Sequence, residues 1–526
     1  MSQLSRQSSS RLAIHALAAR AGLAALVLVG LMALPLFGGA FARLAALLAY
    51  PYPHDGLEGT LLHEARLLWA GEPLYQPLEL HRFVSAPYPP LHYAILGLVD
   101  RLGGPHIFWS GRLISLLAAL AVATLIALLV RRAGVPWLAA LPGVALFLSA
   151  PPVLLWATRI KPDLLALLWT SLGLFLAACA IDTTAGGRRQ TTDEALLSPF
   201  VRRLSLQAAA ICFGLAFFTK QTAVAAPLAT GLVLLVADIR AHLRSDRSAI
   251  GHLPVRRPTI AFGLTYLALV LGGWLLLDVL TAGQFTAHVW GLHRSEWWSL
   301  ALFRKFVALL APYWPAMLLG AALLIRAAHD VRTLVPVCYL LVAPISLLGA
   351  GETGANHNHL LETILALAIA TGIAAGWAAT LLARRPLMAL TLCALLIAQL
   401  GLAYRPQQWC IGELAPTDPP ERYLVFMRHT PGEILADDVG LLFAAGRPLR
   451  YDDPSTMGPA ARSGVWDQRG LLQEIAERRF SAIMIPVNVE RETVDASGRW
   501  TPEMLAAIRA HYRLAFRDTI YTYVPK

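Results

Sequence analysis

Long apolar runs separated by short polar segments occupy the first 404 residues of the chain. A helix of about 20 apolar residues is long enough to cross the hydrocarbon core of a lipid bilayer. The pattern therefore predicts eleven membrane-spanning helices. They are expected near residues 22–49, 110–130, 136–151, 163–181, 205–219, 222–238, 258–280, 306–327, 333–350, 360–383 and 386–404.

The pattern changes after residue 404, where strand-like and helix-like segments alternate over short distances. Such alternation is typical of a small α/β domain. The expected fold class is an α-helical polytopic membrane protein with a membrane domain at 1–404 and a C-terminal α/β domain at 405–526. A loop of about 60 residues at 50–109 follows the first helix, and long loops of this kind are usually functional. Strands are expected at 433–438, 448–453 and 480–487, and helices at 467–478 and 502–511.

Composition supports a membrane protein and excludes several other classes. Apolar residues make up 56% of the chain, charged residues 15%, and the mean hydropathy is +0.56. Soluble domains contain about 45–50% apolar and about 25% charged residues. A soluble enzyme, a disordered scaffold and a disulfide-rich secreted domain are therefore excluded. The five cysteines show no CxxC pairing and are interpreted as small buried hydrophobic residues.

The formal net charge of +11 comes mainly from arginine, because only four of the 44 basic residues are lysine. In a soluble domain this excess would suggest nucleic acid, but in a membrane protein it first reflects the enrichment of cytoplasmic loops in Lys and Arg. Alternate loops carry 18 and 9 such residues. The richer set, which includes the N-terminal arm, is placed in the cytoplasm. Eleven spans then place the C-terminal domain outside, and no nucleic-acid partner is expected.

Two carboxylates open the first outer loop. Asp55 stands just after the first predicted span, and Glu58 follows one helical turn later. A carboxylate at the water–membrane boundary can keep its charge in a partly dry cleft, as a general base requires. The alternative is that Asp55 caps the next helix while Glu58 complements its first turn.

Cations at the outer ends of spans are a second candidate group, formed by Arg159, Lys161, Lys220 and Lys305. Three of the four lysines lie there, although the positive-inside bias disfavours basic residues on this side. They are suited to bind a phosphate group. The alternative is that their side chains reach lipid headgroups without forming a site. Arg294 lies in an aromatic outer loop at 281–298.

Polar and aromatic residues in two other outer segments complete the candidates. Prolines before Tyr88 and His92 indicate a rigid helix start, and an aromatic platform for a sugar ring is the alternative. The connector 351–359 contains Asn356, His357 and His359, and Glu362 follows inside the next span. These side chains are suited to bind sugar hydroxyls; a metal site formed by the two histidines and Glu362 is the alternative.

Together these residues resemble the polyprenyl-phosphate-sugar-dependent glycosyltransferases of the GT-C class, which include bacterial aminoarabinose transferases and protein O-mannosyltransferases. The resemblance covers nearly the whole chain. One departure is that many relatives carry two adjacent acidic residues after the first span, whereas Gly56 and Leu57 separate Asp55 from Glu58 here. The matching stretches are Ala65 to Tyr75, Tyr88 to Leu91, Arg159 to Asp163, Lys220 to Thr222, Asn356 to His359, Ile434 to Asp438, Ala445 to Pro448 and Asp452 to Pro454.

The resemblance implies a sugar carried on a polyprenyl phosphate at the outer face of a bacterial inner membrane, where the C-terminal domain would be periplasmic. Asp55 would deprotonate an acceptor hydroxyl, which attacks the anomeric carbon with inversion, and Glu58 would orient Asp55 or the acceptor. The acceptor would be a lipid, glycan or protein, with membrane lipids as further partners. Expected phosphate ligands are Arg159, Lys161, Lys220, Arg294 and Lys305, and expected substrate-binding residues are Tyr75, Tyr88, His92, Asp163, Asn356, His357, His359 and Glu362. No cofactor is implied, and a divalent metal is left open.

Two other classes compete with an enzyme. A transporter or flippase of lipid-linked sugars or small solutes would place ionisable residues near the bilayer midplane and often shows inverted repeats. Here the polar residues collect at one membrane face, and the two halves of the chain are not alike. An assembly protein whose outer domain binds a partner would leave the carboxylates of the first loop without a purpose. The sequence therefore favours transfer chemistry at the outer face.

Overall fold

The structure is a computed structural model that describes residues 2–181, 199–244, 257–292, 298–327, 330–352, 354–382, 384–404 and 420–526. Seven of the described helices are long and apolar enough to cross a membrane, or eight if the bent pair Leu300–Ala308 and Ala311–Arg326 is one span. The predicted fold class, a polytopic helical membrane protein with a small C-terminal α/β domain, is confirmed. The helices of the bundle are Ser2–Ala49, Trp109–Arg132, Ala140–Ser149, Pro151–Trp156, Asp163–Ile181, Pro199–Thr219, Ala225–Arg244, Arg257–Leu280, Leu300–Ala308, Trp314–Ala327, Leu334–Val342, Leu361–Leu381 and Pro386–Ala403.

Each of the eleven predicted spans overlaps a helix, yet several of these helices are too short or too polar to count as spans. The helix predicted at 136–151 ends at Ser149, because Pro151 and Pro152 begin a separate short helix. The helix Ala225–Arg244 ends in charged residues that shorten its apolar part. Short helical turns fill several breaks, at Trp137–Ala139, Gln284–Thr286, Ala287–Gly291, Ala311–Tyr313, Val331–Thr333, Ala343–Gly351 and His357–Leu360.

The helix Leu361–Leu381 lies at the centre of the bundle, and 17 of its 21 residues are buried. Its small residues allow other helices to approach closely, as is common between membrane helices. A Cβ atom on Gly372 would lie 2.6 Å from Val130, and one on Gly143 would lie 2.3 Å from the carbonyl oxygen of Ala368. This central helix therefore fixes the arrangement of its neighbours, and its N-terminal end carries the connector that contains Asn356.

The C-terminal domain contains a four-stranded mixed sheet. Its strands are β1 (Glu433–Ala436), β2 (Phe480–Ile485), β3 (Tyr512–Phe516) and β4 (Tyr521–Pro525), in the order β1-β2-β4-β3. β1 pairs parallel to β2, whereas β4 pairs antiparallel to β2 and β3. The helices of this domain are Glu421–His429, Val439–Ala444, Pro454–Arg462, Arg469–Ala476 and Pro502–His511.

The predicted strand at 448–453 is wrong, because this segment pairs with the loop 50–109 rather than with the sheet. Phe83 N–H donates to the Arg450 carbonyl at 2.7 Å, and Asp452 N–H donates to the Phe83 carbonyl at 3.1 Å. The loop also contributes the helices Leu57–Trp69 and Pro90–Asp100. The C-terminal domain and this loop thus form one layer that covers an end of the bundle.

Candidate active site

A cavity of about 590 Å³ lies between the end of the bundle and the C-terminal domain. Segments that are far apart in sequence meet at this cavity, namely the loop 50–109, the connector 351–359 and the loop after β1. Of the residues predicted from sequence, those lining it are Asp55, Tyr88, Lys161, Asp163, Lys220, Asn356 and His359. The C-terminal domain adds Asp437, Asp438, Asp453, Ser455, Thr456, Ser497 and Arg499.

Asp55 lies beside two cations at the floor of this cavity. Lys161 Nζ is 3.2 Å from Asp55 Oδ1, and Arg159 Nη1 is 3.7 Å from Oδ2. Burial raises the pKa of Asp55, but the charges of Lys161 and Arg159 outweigh it and hold the pKa below its ordinary value. The capping interpretation of Asp55 is wrong, because the helix Leu57–Trp69 has no side-chain cap.

Glu58 faces away from the cavity and forms a buried ion pair with Arg112. Both side chains are fully buried, with Glu58 Oε2 2.7 Å from Arg112 Nη2 and Oε1 2.9 Å from Nε. The same carboxylate accepts N–H groups from His54 at 2.7 Å and from Ile160 at 3.0 Å. Those residues adjoin Asp55 and Lys161 in sequence. Glu58 therefore ties together the two backbone segments that carry the Asp55–Lys161 pair.

Lys220 occupies another part of the floor, where it forms an ion pair with Asp163. Asp163 opens its helix, and Trp156 Nε1–H donates to its Oδ2 at 3.1 Å. A second cavity, of about 30 Å³, adjoins this pair and is lined also by His359 and Glu362. Its volume is enough for about one or two water molecules. Polar space therefore continues from the floor of the main cavity into the bundle.

The other predicted ligands support the cavity from behind or lie apart from it. Tyr75 is buried and its hydroxyl donates to the Tyr88 carbonyl at 2.8 Å. His92 is buried next to the floor, and His357 packs its ring edge-on against Phe306. Lys305 is exposed on the helix Leu300–Ala308, outside the cavity lining.

Arg294 lies outside the residues that the structure describes, so its predicted role stays a prediction. The alternative metal site formed by His357, His359 and Glu362 is not seen. Within the described ranges, no group of three or more His, Cys, Asp or Glu side chains is placed to hold a metal ion.

Sequence reasoning missed Arg112 and the acidic wall that the C-terminal domain supplies. Arg112 lies at the start of the predicted span 110–130, and an arginine at the edge of an apolar run needs a partner, so this signal was present in the sequence. Asp437 is held by Arg499 Nη1 at 2.7 Å and by Trp500 Nε1 at 2.8 Å. Asp438 caps the helix Val439–Ala444 by accepting Leu441 N–H at 3.0 Å.

The geometry can be compared with known proteins. No family model matches the sequence, and a search among curated proteins finds no match. Among solved structures, ArnT from Cupriavidus metallidurans bound to undecaprenyl phosphate is similar, with a TM-score of 0.56 and 14% identity over 93% of this chain and 97% of that chain. The archaeal oligosaccharyltransferase AglB from Archaeoglobus fulgidus, in complex with an inhibitory peptide and a dolichol-phosphate, has a TM-score of 0.55 and 10% identity over 96% of this chain and 74% of that chain.

These two proteins are GT-C glycosyltransferases, so the fold of this chain is the GT-C fold. The resemblance inferred from the sequence is confirmed at the level of fold.

Proposed function

We propose that this protein is an integral membrane glycosyltransferase that moves a sugar from a polyprenyl-phosphate donor to a hydroxyl acceptor. The observation that carries the proposal is that Asp55, Lys161 and Lys220 line one cavity at an end of a GT-C bundle. Polyprenyl phosphates occupy both similar structures, as undecaprenyl phosphate in ArnT and dolichol-phosphate in AglB. The cavity is also large enough for a sugar.

In this proposal the lysines bind the donor phosphate and stabilise the charge that develops on it as it leaves. Lys161 and Lys220 are each paired with a carboxylate. A phosphate placed between them exchanges these contacts for charge-assisted hydrogen bonds of similar strength. The sugar then lies above the floor, within reach of an acceptor that enters beside the C-terminal domain.

The reaction is a single displacement with inversion at the anomeric carbon. The acceptor oxygen forms a bond to this carbon while the bond from the carbon to the phosphate oxygen breaks, and its electron pair leaves with the polyprenyl phosphate. A carboxylate takes the proton of the acceptor hydroxyl. Asp55 is the candidate that the sequence provides. Glu58 acts through the backbone of His54 and Ile160, and thus positions Asp55 and Lys161.

The proposed orientation follows from the distribution of Lys and Arg between loops. The N-terminus lies in the cytoplasm of a bacterial cell, and the cavity with the C-terminal domain lies on the periplasmic side of the inner membrane. The acceptor is a lipid, glycan or protein of the cell envelope. The proposed step needs no nucleotide.

The test measures donor consumption by the purified protein in detergent, supplied with undecaprenyl-phosphate-linked sugars and an envelope lipid extract. Loss of labelled donor with appearance of a labelled product and free undecaprenyl phosphate supports the transferase. A transporter or flippase needs two membrane compartments and leaves the donor intact. Intact donor with wild-type protein, together with movement of labelled lipid across liposomes, would overturn the proposal in favour of transport.

A further inference from the structure

The C-terminal domain places one acidic residue of the cavity wall, Asp438, close to Gly56, which follows Asp55 in sequence. Asp438 follows β1, and the backbone of residues 438–440 packs on the start of the helix Leu57–Trp69. A Cβ atom on Gly56 would lie 3.6 Å from Asp438 Cα, and one on Gly59 would lie 2.7 Å from Gly440 Cα. The close approach of these two glycines to the C-terminal domain brings Asp438 to the same cavity as Asp55 and Lys161.

Asp438 and Asp55 differ in their neighbours. Asp55 contacts Lys161 and Arg159, whereas Asp438 accepts a backbone N–H from Leu441 and makes no ion pair among the described residues. The charges that act most strongly on Asp438 are the carboxylates of Asp437 and Asp55, and Arg499 is already bound to Asp437. Lys161, Lys220, Glu352 and Asp453 line the same cavity. A proton is therefore bound more readily at Asp438 than at Asp55, which two cations keep ionised.

We propose that Asp438 is a catalytic residue of the transfer reaction and accepts the proton of the acceptor hydroxyl, while Asp55 stays ionised beside Lys161. This assignment rests on the proposed glycosyl transfer and deepens it. The acceptor O–H bond breaks, its proton moves to Asp438, and the oxygen bonds to the anomeric carbon. The phosphate oxygen leaves with its electron pair, and Asp438 later releases the proton to water.

The electrostatics of the two carboxylates agree with this division of roles. Burial, with the charges of Asp437 and Asp55, raises the pKa of Asp438 to about 6, while the pKa of Asp55 lies below its ordinary value. A base is most effective when its pKa lies near the working pH. Two carboxylates whose environments separate their pKa values commonly perform different tasks in one reaction.

Because Asp438 is a helix N-cap, its charge can be removed by a substitution that keeps the cap. Asparagine and serine are also good N-cap residues, so D438N and D438S keep the hydrogen bond to Leu441 N–H and remove the charge. The experiment measures kcat/KM from pH 4.5 to 8.5 in wild type and both variants. Binding of undecaprenyl phosphate alone and the Tm are measured in parallel.

In the wild type, kcat/KM is expected to rise with pH until about 6 and then level off, because the base must be ionised. This rise is the acidic limb of the pH profile. In D438N and D438S we expect a decrease of roughly 100-fold or more and loss of this limb, with binding of undecaprenyl phosphate unchanged within twofold. Activity within threefold of wild type with the limb retained would overturn the assignment. A loss of phosphate binding or a lower Tm in both variants would also overturn it, since that result indicates a structural role.

Failure of this inference can be separated from failure of the proposed function. If the wild type transfers sugar and D438N does so equally well, glycosyl transfer stands and Asp438 is not the base. If the limb near pH 6 disappears in D55N and persists in D438N, the base is Asp55. Absence of transfer by the wild type with every donor overturns both.

Discussion

Glu58 Oε2 lies 2.7 Å from Arg112 Nη2, and neither side chain is exposed to solvent. Because the pair also holds the His54 and Ile160 N–H groups, it fixes the two segments that carry Asp55 and Lys161. Removing one partner of a buried pair typically destabilises a protein by about 3–5 kcal/mol, because the other charge is left uncompensated.

We therefore expect Glu58→Gln to lower the free energy of unfolding by roughly 3 kcal/mol, as measured by thermal unfolding in detergent. The burial of Glu58 raises its pKa, but Arg112 outweighs this effect and lowers it, so the native pair is ionised at neutral pH. Asp467→Asn is a control, because this aspartate pairs with Arg469 at the exposed surface of the C-terminal domain. Equal stability of the E58Q variant and wild type would show that the pair is not structural.

Two lysines of the cavity floor can be distinguished from a lysine outside it. We expect Lys161→Gln and Lys220→Gln each to weaken binding of undecaprenyl phosphate roughly tenfold or more, since each removes a hydrogen bond to a charged group. Lys305→Gln removes the same charge from an exposed side chain outside the cavity lining and is the matched control. Binding is measured with the purified variants in detergent. An equal loss in all three would favour non-specific attraction to lipid headgroups over a phosphate site.

The docking of the C-terminal domain depends on a glycine in the loop 50–109. A Cβ atom on Gly59 would meet Gly440 Cα at 2.7 Å and the Val439 carbonyl oxygen at 2.8 Å, and neither backbone atom can turn aside. We expect Gly59→Ala to lower the Tm and to abolish transfer by displacing Asp438. Gly401→Ala is the control, because Gly401 also lies in a helix and a Cβ atom there meets nothing within 4 Å.

The control variant should be neutral or stabilised by up to about 1 kcal/mol, as expected when alanine replaces glycine within a helix. Wild-type Tm and activity in G59A would contradict the close contact between the loop and the C-terminal domain.

The dependence of stability on pH should involve two buried carboxyl groups that meet at Ser85. Glu64 Oε1 accepts from Ser85 Oγ at 2.9 Å, and Asp452 Oδ1 accepts from Ser85 N–H at 3.0 Å. Burial raises the pKa of Glu64 to about 8, and burial together with the charge of Glu64 raises the pKa of Asp452 well above its usual range. Glu64 is therefore protonated in the native protein at neutral pH.

A raised carboxyl pKa means that the native state binds more protons than the unfolded state. The stability from these groups is present below the ordinary carboxyl pKa and is lost as pH rises through about 8. We expect the Tm of the wild type to decrease as pH rises from about 5 to about 8, and to decrease less in Glu64→Gln and in Asp452→Asn. Thermal unfolding at constant ionic strength tests this, and the same decrease in wild type and both variants would exclude these carboxyl groups as its source.

The position of Asp55 could be predicted in part from the sequence. Its place after a long apolar run predicted an outer-face carboxylate, and the structure puts its side chain in the cavity. Cations at the outer helix ends were candidates for the same reason, but only the structure separates Lys161 and Lys220 from the exposed Lys305. Helix positions along an apolar run do not specify which face of each helix turns towards its neighbours, since the whole run is apolar.

Glu58 shows the opposite case, in which sequence spacing suggested a shared role with Asp55. A separation of three residues would put both carboxylates on one face of a helix. Asp55 precedes the helix Leu57–Trp69, however, so the two side chains diverge, and Arg112 holds Glu58 in the interior. This partner comes from a different helix and could not be assigned from local pattern.

The sequence by itself determined a helical membrane protein with a small C-terminal α/β domain, and it predicted that a group of carboxylates and cations lies at the outer face. Apolar length and charge position along the chain are sufficient for these features, because they depend on transfer from water to lipid. Only the tertiary structure decided that Lys161 pairs with Asp55, that Glu58 forms a buried ion pair with Arg112, and that Asp438 lines the cavity. These relations depend on close packing between segments distant in sequence, notably at Gly56 and Gly59, where the absence of a side chain lets two backbones meet.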